Sequence, residues 1–235
     1  MVEYMNDTLD KLMSLLECSP SLINVSKNIR KEKDGGVRFY TDDDMELQII
    51  RSHFEKIYDF AVSQSQALIN VCINHQKELS FIKDIKYSKS NPVLVRGFYC
   101  PLPYVHKKGR LISNPDHKGF LFKYYFKDNV LYCTERIRDQ KIWSKEFMFY
   151  RDNVALGIFC SGNIDNSFCQ FFYDEYFENN IIQRICFSGS NFEIEEYEYL
   201  TDDVSITRVR FDVKRHMGKR WAITTDYSCG KQYSD

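Results

Sequence analysis

A six-residue motif occurs four times in the second half of this 235-residue chain. Tyr125-Phe126-Lys127-Asp128-Asn129-Val130 returns as Phe149-Tyr150-Arg151-Asp152-Asn153-Val154, as Tyr176-Phe177-Glu178-Asn179-Asn180-Ile181 and, more loosely, as Tyr199-Leu200-Thr201-Asp202-Asp203-Val204, at spacings of 24, 27 and 23 residues. Asp and Asn accept a positive φ and bond their own backbone, so such a pair between aromatic and β-branched residues marks a tight hairpin turn. A chain that repeats this pattern is committed to antiparallel pairing of neighbouring strands.

The flanking residues agree. Phe120, Phe122, Tyr124 and Phe126 alternate with other residues at a period of two, as do Phe168, Phe172 and Tyr176 against Phe171, Tyr173 and Phe177. That is the period of a strand. Each unit therefore reads as strand, turn, strand, followed by a looser connection such as Arg138-Asp139-Gln140-Lys141 or Ser188-Gly189-Ser190-Asn191. Four units predict eight strands in a meander, with further hairpins around Lys107-Lys108-Gly109 and His216-Met217-Gly218-Lys219. Over residues 120–210 the repeat resembles the aromatic-Asp/Asn hairpin units of YD-type and MORN-like repeat proteins, with Asn129, Asn153, Asn180 and Asp203 where those families carry glycine. The resemblance implies a bacterial protein of the kind associated with polymorphic toxins, their immunity proteins and antitoxins.

The first third carries a different period. Met5, Leu9, Leu12, Met13 and Leu16 recur at helical steps and stop before Ser19-Pro20. Residues 24–41 read as a polar, turn-forming connection, within which Val37-Arg38-Phe39-Tyr40 suits a brief strand. Thr41-Asp42-Asp43-Asp44 supplies N-cap oxygens and carboxylates suited to a helix start. Ile50, Phe54, Ile57, Tyr58, Ala61, Ser65, Leu68, Ile69, Cys72, Gln76 and Leu79 then trace one stripe, uninterrupted by Gly or Pro, which predicts one long helix from about residue 43 to about 79, or two helices in line. The expected fold is α+β: a helical part, 1–91, packed on an antiparallel hairpin sheet, 92–235, as one folding unit.

Chemistry-bearing motifs are scarce. No Walker A pattern, GxGxxG, GxSxG or HExxH occurs, and the eight cysteines and five histidines are dispersed without a CxxC pair. Cys133, Cys160, Cys169 and Cys186 fall in apolar runs, which predicts reduced, structural thiols. No cofactor or metal site is expected. A Cys-His pair joining Cys100 to His106 or His117 has no positive support. No apolar run approaches the roughly 20 residues that span a bilayer, and the N-terminus lacks a basic region before an apolar core, so the expected location is cytoplasmic.

Charge is distributed unevenly behind a net value of −1. Residues 174–203 hold nine acids against Arg184 alone, whereas the basic segment 208–220 holds six bases against Asp212. One expectation is a solvated ladder in which the acids of residues 193–198 pair across the 202–203 hairpin with Arg208 and Arg210. Another is that Glu193, Glu195, Glu196, Glu198, Asp202 and Asp203 form a patch, on a strand near a sheet edge, for a basic protein partner. The functional expectation is a non-enzymatic protein-binding module, in keeping with the immunity-protein resemblance. Its rivals are a nucleic-acid binder using residues 208–220 and an aromatic-lined cup for a small ligand or substrate.

Overall fold

The computed structural model describes residues 7–21, 37–40, 45–89, 110–112, 115, 119–162, 170–178, 180–188, 191–199, 204–212 and 221–228, of which 37–40, 45–47, 191, 204–212 and 221–228 are described by their backbone. The architecture is α+β, helices packed on antiparallel strands that follow one another as a meander. Two compact units result, one formed by residues 1–63 and 173–235 and the other by residues 64–172.

In the first unit, helix α1 (Asp7–Glu17) buries Leu9, Leu12, Met13 and Leu16, the stripe its sequence predicts, and carries Asp7 and Asp10 in its first turn where the helix dipole favours them. Helix α2 (Met45–Ser63) turns Ile50, Phe54, Ile57 and Ala61 inward. The strands, β1 (Val37–Tyr40), β8 (Gln170–Phe177), β9 (Asn180–Phe187), β10 (Asn191–Tyr199), β11 (Val204–Asp212) and β12 (Trp221–Ser228), lie in the order β1-β12-β11-β10-β9-β8. Phe54 stacks on Phe192 with ring centroids 4.3 Å apart, Phe187 closes on Phe192 at 5.8 Å, and Tyr58 meets Phe187 edge-on at 6.0 Å. Phe54, Phe187 and Phe192 are fully buried, each contributing about 1.5–3 kcal/mol relative to exposure.

The second unit holds helix α3 (Ser65–Glu78), a 3-10 turn (Leu79–Phe81) and the strands β2 (Asp84–Lys89), β3 (Leu111–Ile112), β4 (Phe120–Lys127), β5 (Val130–Arg138), β6 (Lys141–Arg151) and β7 (Val154–Ser161), in the order β7-β6-β5-β4-β2-β3. Leu68, Ile69, Val71 and Cys72 are the buried side of α3. His75 stacks on Tyr132 at 5.2 Å and meets Phe149 edge-on at 4.7 Å, and Glu78 bonds Lys127 at 2.9 Å.

The long helix is two helices. The ladder breaks at Gln64, whose φ of −103° and ψ of 8° leave the helical basin. The Ser63 hydroxyl donates to the Phe60 carbonyl at 3.1 Å, an acceptor that the Gln64 amide would use in a continuous helix. Ser63-Gln64-Ser65 thus does what Gly or Pro does elsewhere, and it coincides with the division between the two units.

The repeat turns are hairpins where they are described. Asp128 and Asn129, both at positive φ (52° and 64°), join β4 to β5, and Asp152 (φ 49°) with Asn153 joins β6 to β7. At the third turn Glu178 has φ 47°, while Asn179 and the Asp202-Asp203 turn lie outside the described residues. The connection at 138–141 is tighter than expected: Asp139 (φ 48°) and Gln140 (φ 66°) form a two-residue hairpin between the paired residues Arg138 and Lys141. Two register shifts interrupt the pairing. One in β5 leaves Tyr132 without a partner in β4 and turns it to His75, and one in β6 leaves Trp143 between Ile142 and Ser144.

Candidate functional site

The acidic strand is interior to its sheet. β10 pairs with β9 on one side and with β11 on the other, so the edge position expected for it does not hold. Its two faces divide as strand geometry requires, with Phe192 and Ile194 on the side of Phe54 and with Glu193, Glu195 and Tyr197 opposite. Glu195 is only 4% exposed and accepts a short hydrogen bond from the Tyr197 hydroxyl. Glu193 and Glu196 are half-buried and Glu198 is exposed; Asp202 and Asp203 lie outside the described residues.

The register places Glu195 opposite Arg184 and Arg208, and Glu193 opposite Arg210, as a cross-strand ladder demands. On β9, Arg184 grips Asp174 of β8 with both arms, Nε to Oδ1 at 2.7 Å and Nη2 to Oδ2 at 3.0 Å. The Tyr176 hydroxyl donates to Oδ2 at 3.1 Å. Asp174 is fully buried and Arg184 nearly so. A bidentate, desolvated pair of this kind tolerates no loss of one partner. These members of the acidic tract hold the sheet together. Residues 213–220 of the basic segment lie outside the described residues.

Two other groupings in the second unit combine exposure or space with reactive side chains. The first is a rim of aromatic rings and guanidinium groups. Phe120 of β4 meets Trp143 of β6 edge-on at 5.9 Å; Arg136 and Arg138 of β5 lie over the Phe120 ring at 4.6 and 4.9 Å, and Arg138 lies 5.1 Å from the Trp143 ring. Trp143 is 50% exposed and its neighbour Ile142 39%. The bulge takes Trp143 out of register with β5, and its ring is half-exposed. Arg138 also meets Asp139 at 3.6 Å across open solvent, a contact of little energetic weight. The Arg136 Nε–H has no hydrogen-bond partner among the described residues.

The second is a recess of about 360 Å³ under the end of α3, roofed by Gln76, Leu79 and Ile82 and floored by Ile85 and a charged row across three strands. Lys123, Glu135 and Lys145 are register partners on β4, β5 and β6. Lys145 Nζ meets Glu135 Oε1 at 3.0 Å, and the Tyr125 hydroxyl donates to Oε2 at 2.8 Å. The Lys123 ammonium sits 4.5 Å from the Tyr125 ring centroid. Burial first, then the Glu135 charge, pushes the Tyr125 hydroxyl far above its ordinary value, so it stays a neutral donor. Burial likewise raises the Cys133 thiol, with Glu135 adding to the effect, and makes it a poor nucleophile. A larger hollow of about 490 Å³ between α1 and α2 in the first unit is lined by Asp7, Asp10, Lys11 and Phe60 among others, where Lys11 already meets Asp7 at 3.5 Å.

Neither the rim nor the charged row is legible from local sequence, because each gathers residues from three strands. The hairpin at 128–129 places Phe120 near Arg138, but the bulges in β5 and β6 shift that count by one. Among the described residues no cluster of three or more His, Cys, Asp or Glu is placed to hold a metal ion, and no helix is long and apolar enough to cross a membrane. Cys72, Cys133 and Cys160 are buried, Cys186 is half-buried and Cys18 exposed, all five as free thiols. No family model, curated protein or solved structure matches the chain.

Proposed function

We propose that this chain is a non-enzymatic protein-binding module that engages its partner through the rim of Phe120, Arg136, Arg138 and Trp143. The observation that carries this reading is a half-exposed tryptophan held between aromatic and guanidinium groups on paired strands. Trp and Arg dominate the binding energy of protein interfaces, and fixed rings lose little entropy when a partner covers them. The likeness of the repeats to those of immunity-associated proteins supports an immunity protein or antitoxin as the specific form, with a toxin as partner. A strand-held aromatic and cationic rim also suits a nucleic-acid base, which is the second reading.

Purification of the tagged chain from its native host tests the proposal, with Trp143→Ala as the comparison because its exposed ring contributes little to the core. The expected result is one stoichiometric protein partner held by the wild type and lost from the variant. Retention of that partner by Trp143→Ala, or recovery of nucleic acid in its place, overturns the reading.

A further inference from the structure

We propose that the recess beneath α3 binds a small organic monocarboxylate with an apolar tail, its carboxylate held by Lys123 and Lys145. This inference is independent of the binding rim and of what binds there.

Burying a lysine is costly unless its protons are matched. Lys145 is only 7% exposed, and its described ion pair is with a single oxygen of Glu135, leaving further ammonium protons at the recess wall. Glu135 has a partner on each oxygen, Lys145 on one and the Tyr125 hydroxyl on the other, which fixes the orientation of the carboxylate already present. Lys123, two strands from Lys145 with Glu135 between them in the same register row, has its ammonium over the Tyr125 ring. Adjacent strands lie about 4.8 Å apart, which sets the two lysine backbones roughly 10 Å from each other, a span their long side chains close over one carboxylate.

Charge and shape then define the ligand. Two cations against one anion leave the wall one positive charge in excess, which a single carboxylate neutralises. A phosphate monoester, at nearly two negative charges, would overshoot in a partly desolvated site. Leu79, Ile82 and Ile85 also line the recess, and these side chains offer no hydrogen bond but give a short hydrocarbon tail apolar contact. Gln76 adds an amide to the lining. A recess of about 360 Å³ is at the small end of ligand sites.

The test is a titration of the full chain with sodium hexanoate, followed by the NMR methyl signals of Leu79, Ile82 and Ile85. Hexanamide, which keeps the tail and loses the charge, and inorganic phosphate, which keeps a charge and loses the tail, are the controls. The expected result is saturable shifts with a Kd below about 1 mM, at least tenfold weaker binding by Lys123→Met, retention by Lys123→Arg, and weaker binding of both controls. No saturable shift with hexanoate overturns the proposal, as does equal binding of hexanamide. Phosphate binding as tight as hexanoate overturns the assigned ligand class. Should Lys123→Met fail to fold, the comparison of hexanoate with hexanamide on the wild type still decides.

Discussion

Arg184→Met removes a cation from a row in which Asp174 and Glu195 remain buried on either side of it. Asp174 keeps the Tyr176 hydroxyl at 3.1 Å but loses two charge-assisted bonds, of 2.7 and 3.0 Å, and has no route to water where it stands. Breaking a buried pair in this way costs about 3–5 kcal/mol, most of it the penalty of the stranded anion. For a chain of this size that lowers the melting temperature by roughly 6–20 °C. Asp174→Asn made together with Arg184→Met removes that anion while leaving an oxygen for Tyr176. The double variant is therefore expected to be about 1–3 kcal/mol more stable than Arg184→Met alone, although it has lost more of the native contact. Urea unfolding followed by far-ultraviolet circular dichroism measures both. A loss below about 1 kcal/mol for the single variant, or a double variant no better than the single, would refute the reasoning that this pair is desolvated and structural.

Three further expectations follow from local geometry. Gln140 holds φ at 66° without the side chain that favours it, so Gln140→Gly is expected to stabilise the protein by about 0.5–1 kcal/mol, and a lower melting temperature for that variant would count against the hairpin at 139–140. Gly162 donates to the Trp143 carbonyl at 2.8 Å, and a Cβ there would collide with the Ile142 carbonyl; Gly162→Ala is expected to cost about 1–3 kcal/mol and to alter Trp143 fluorescence, and an unperturbed spectrum and stability would show that the bulge does not bring these backbones together. His53, beside the Ser19 hydroxyl at 3.0 Å, has its pKa lowered first by burial and then by Lys56. The unfolded chain then takes up the proton at higher pH than the folded one, so stability falls as pH drops below His53's ordinary value near 6.5 and levels off below its folded value. Melting curves of the wild type and His53→Gln between about pH 7.5 and about pH 5 should converge in slope only if His53 contributes nothing.

The elements whose physics is local were legible before the structure. Positive-φ pairs at 128–129 mark their turn in any context, and the inward stripe of Leu9, Leu12, Met13 and Leu16 follows from the helical repeat alone. Where competing local forms are close in energy, pattern did not decide. The stripe from Ile50 to Leu79 suits one helix or two, and the backbone of Gln64, outside the helical basin, divides it into two. Gln140 carries no turn signature because its conformation is imposed by the pairing of Arg138 with Lys141. The acids of β10 look like a surface in one dimension, since composition cannot show that Arg184 stands opposite Glu195 and that the Tyr197 hydroxyl bonds it within the sheet. Lys123, Glu135 and Lys145 look like ordinary strand charges until their register is known.

Hydrogen exchange of the protein alone and in complex with the partner purified from its host tests the binding rim most directly. The expected result is new protection in peptides carrying Phe120, Arg138 and Trp143, with residues 191–199 unchanged. Protection confined to residues 191–199, or none at the rim, would contradict it.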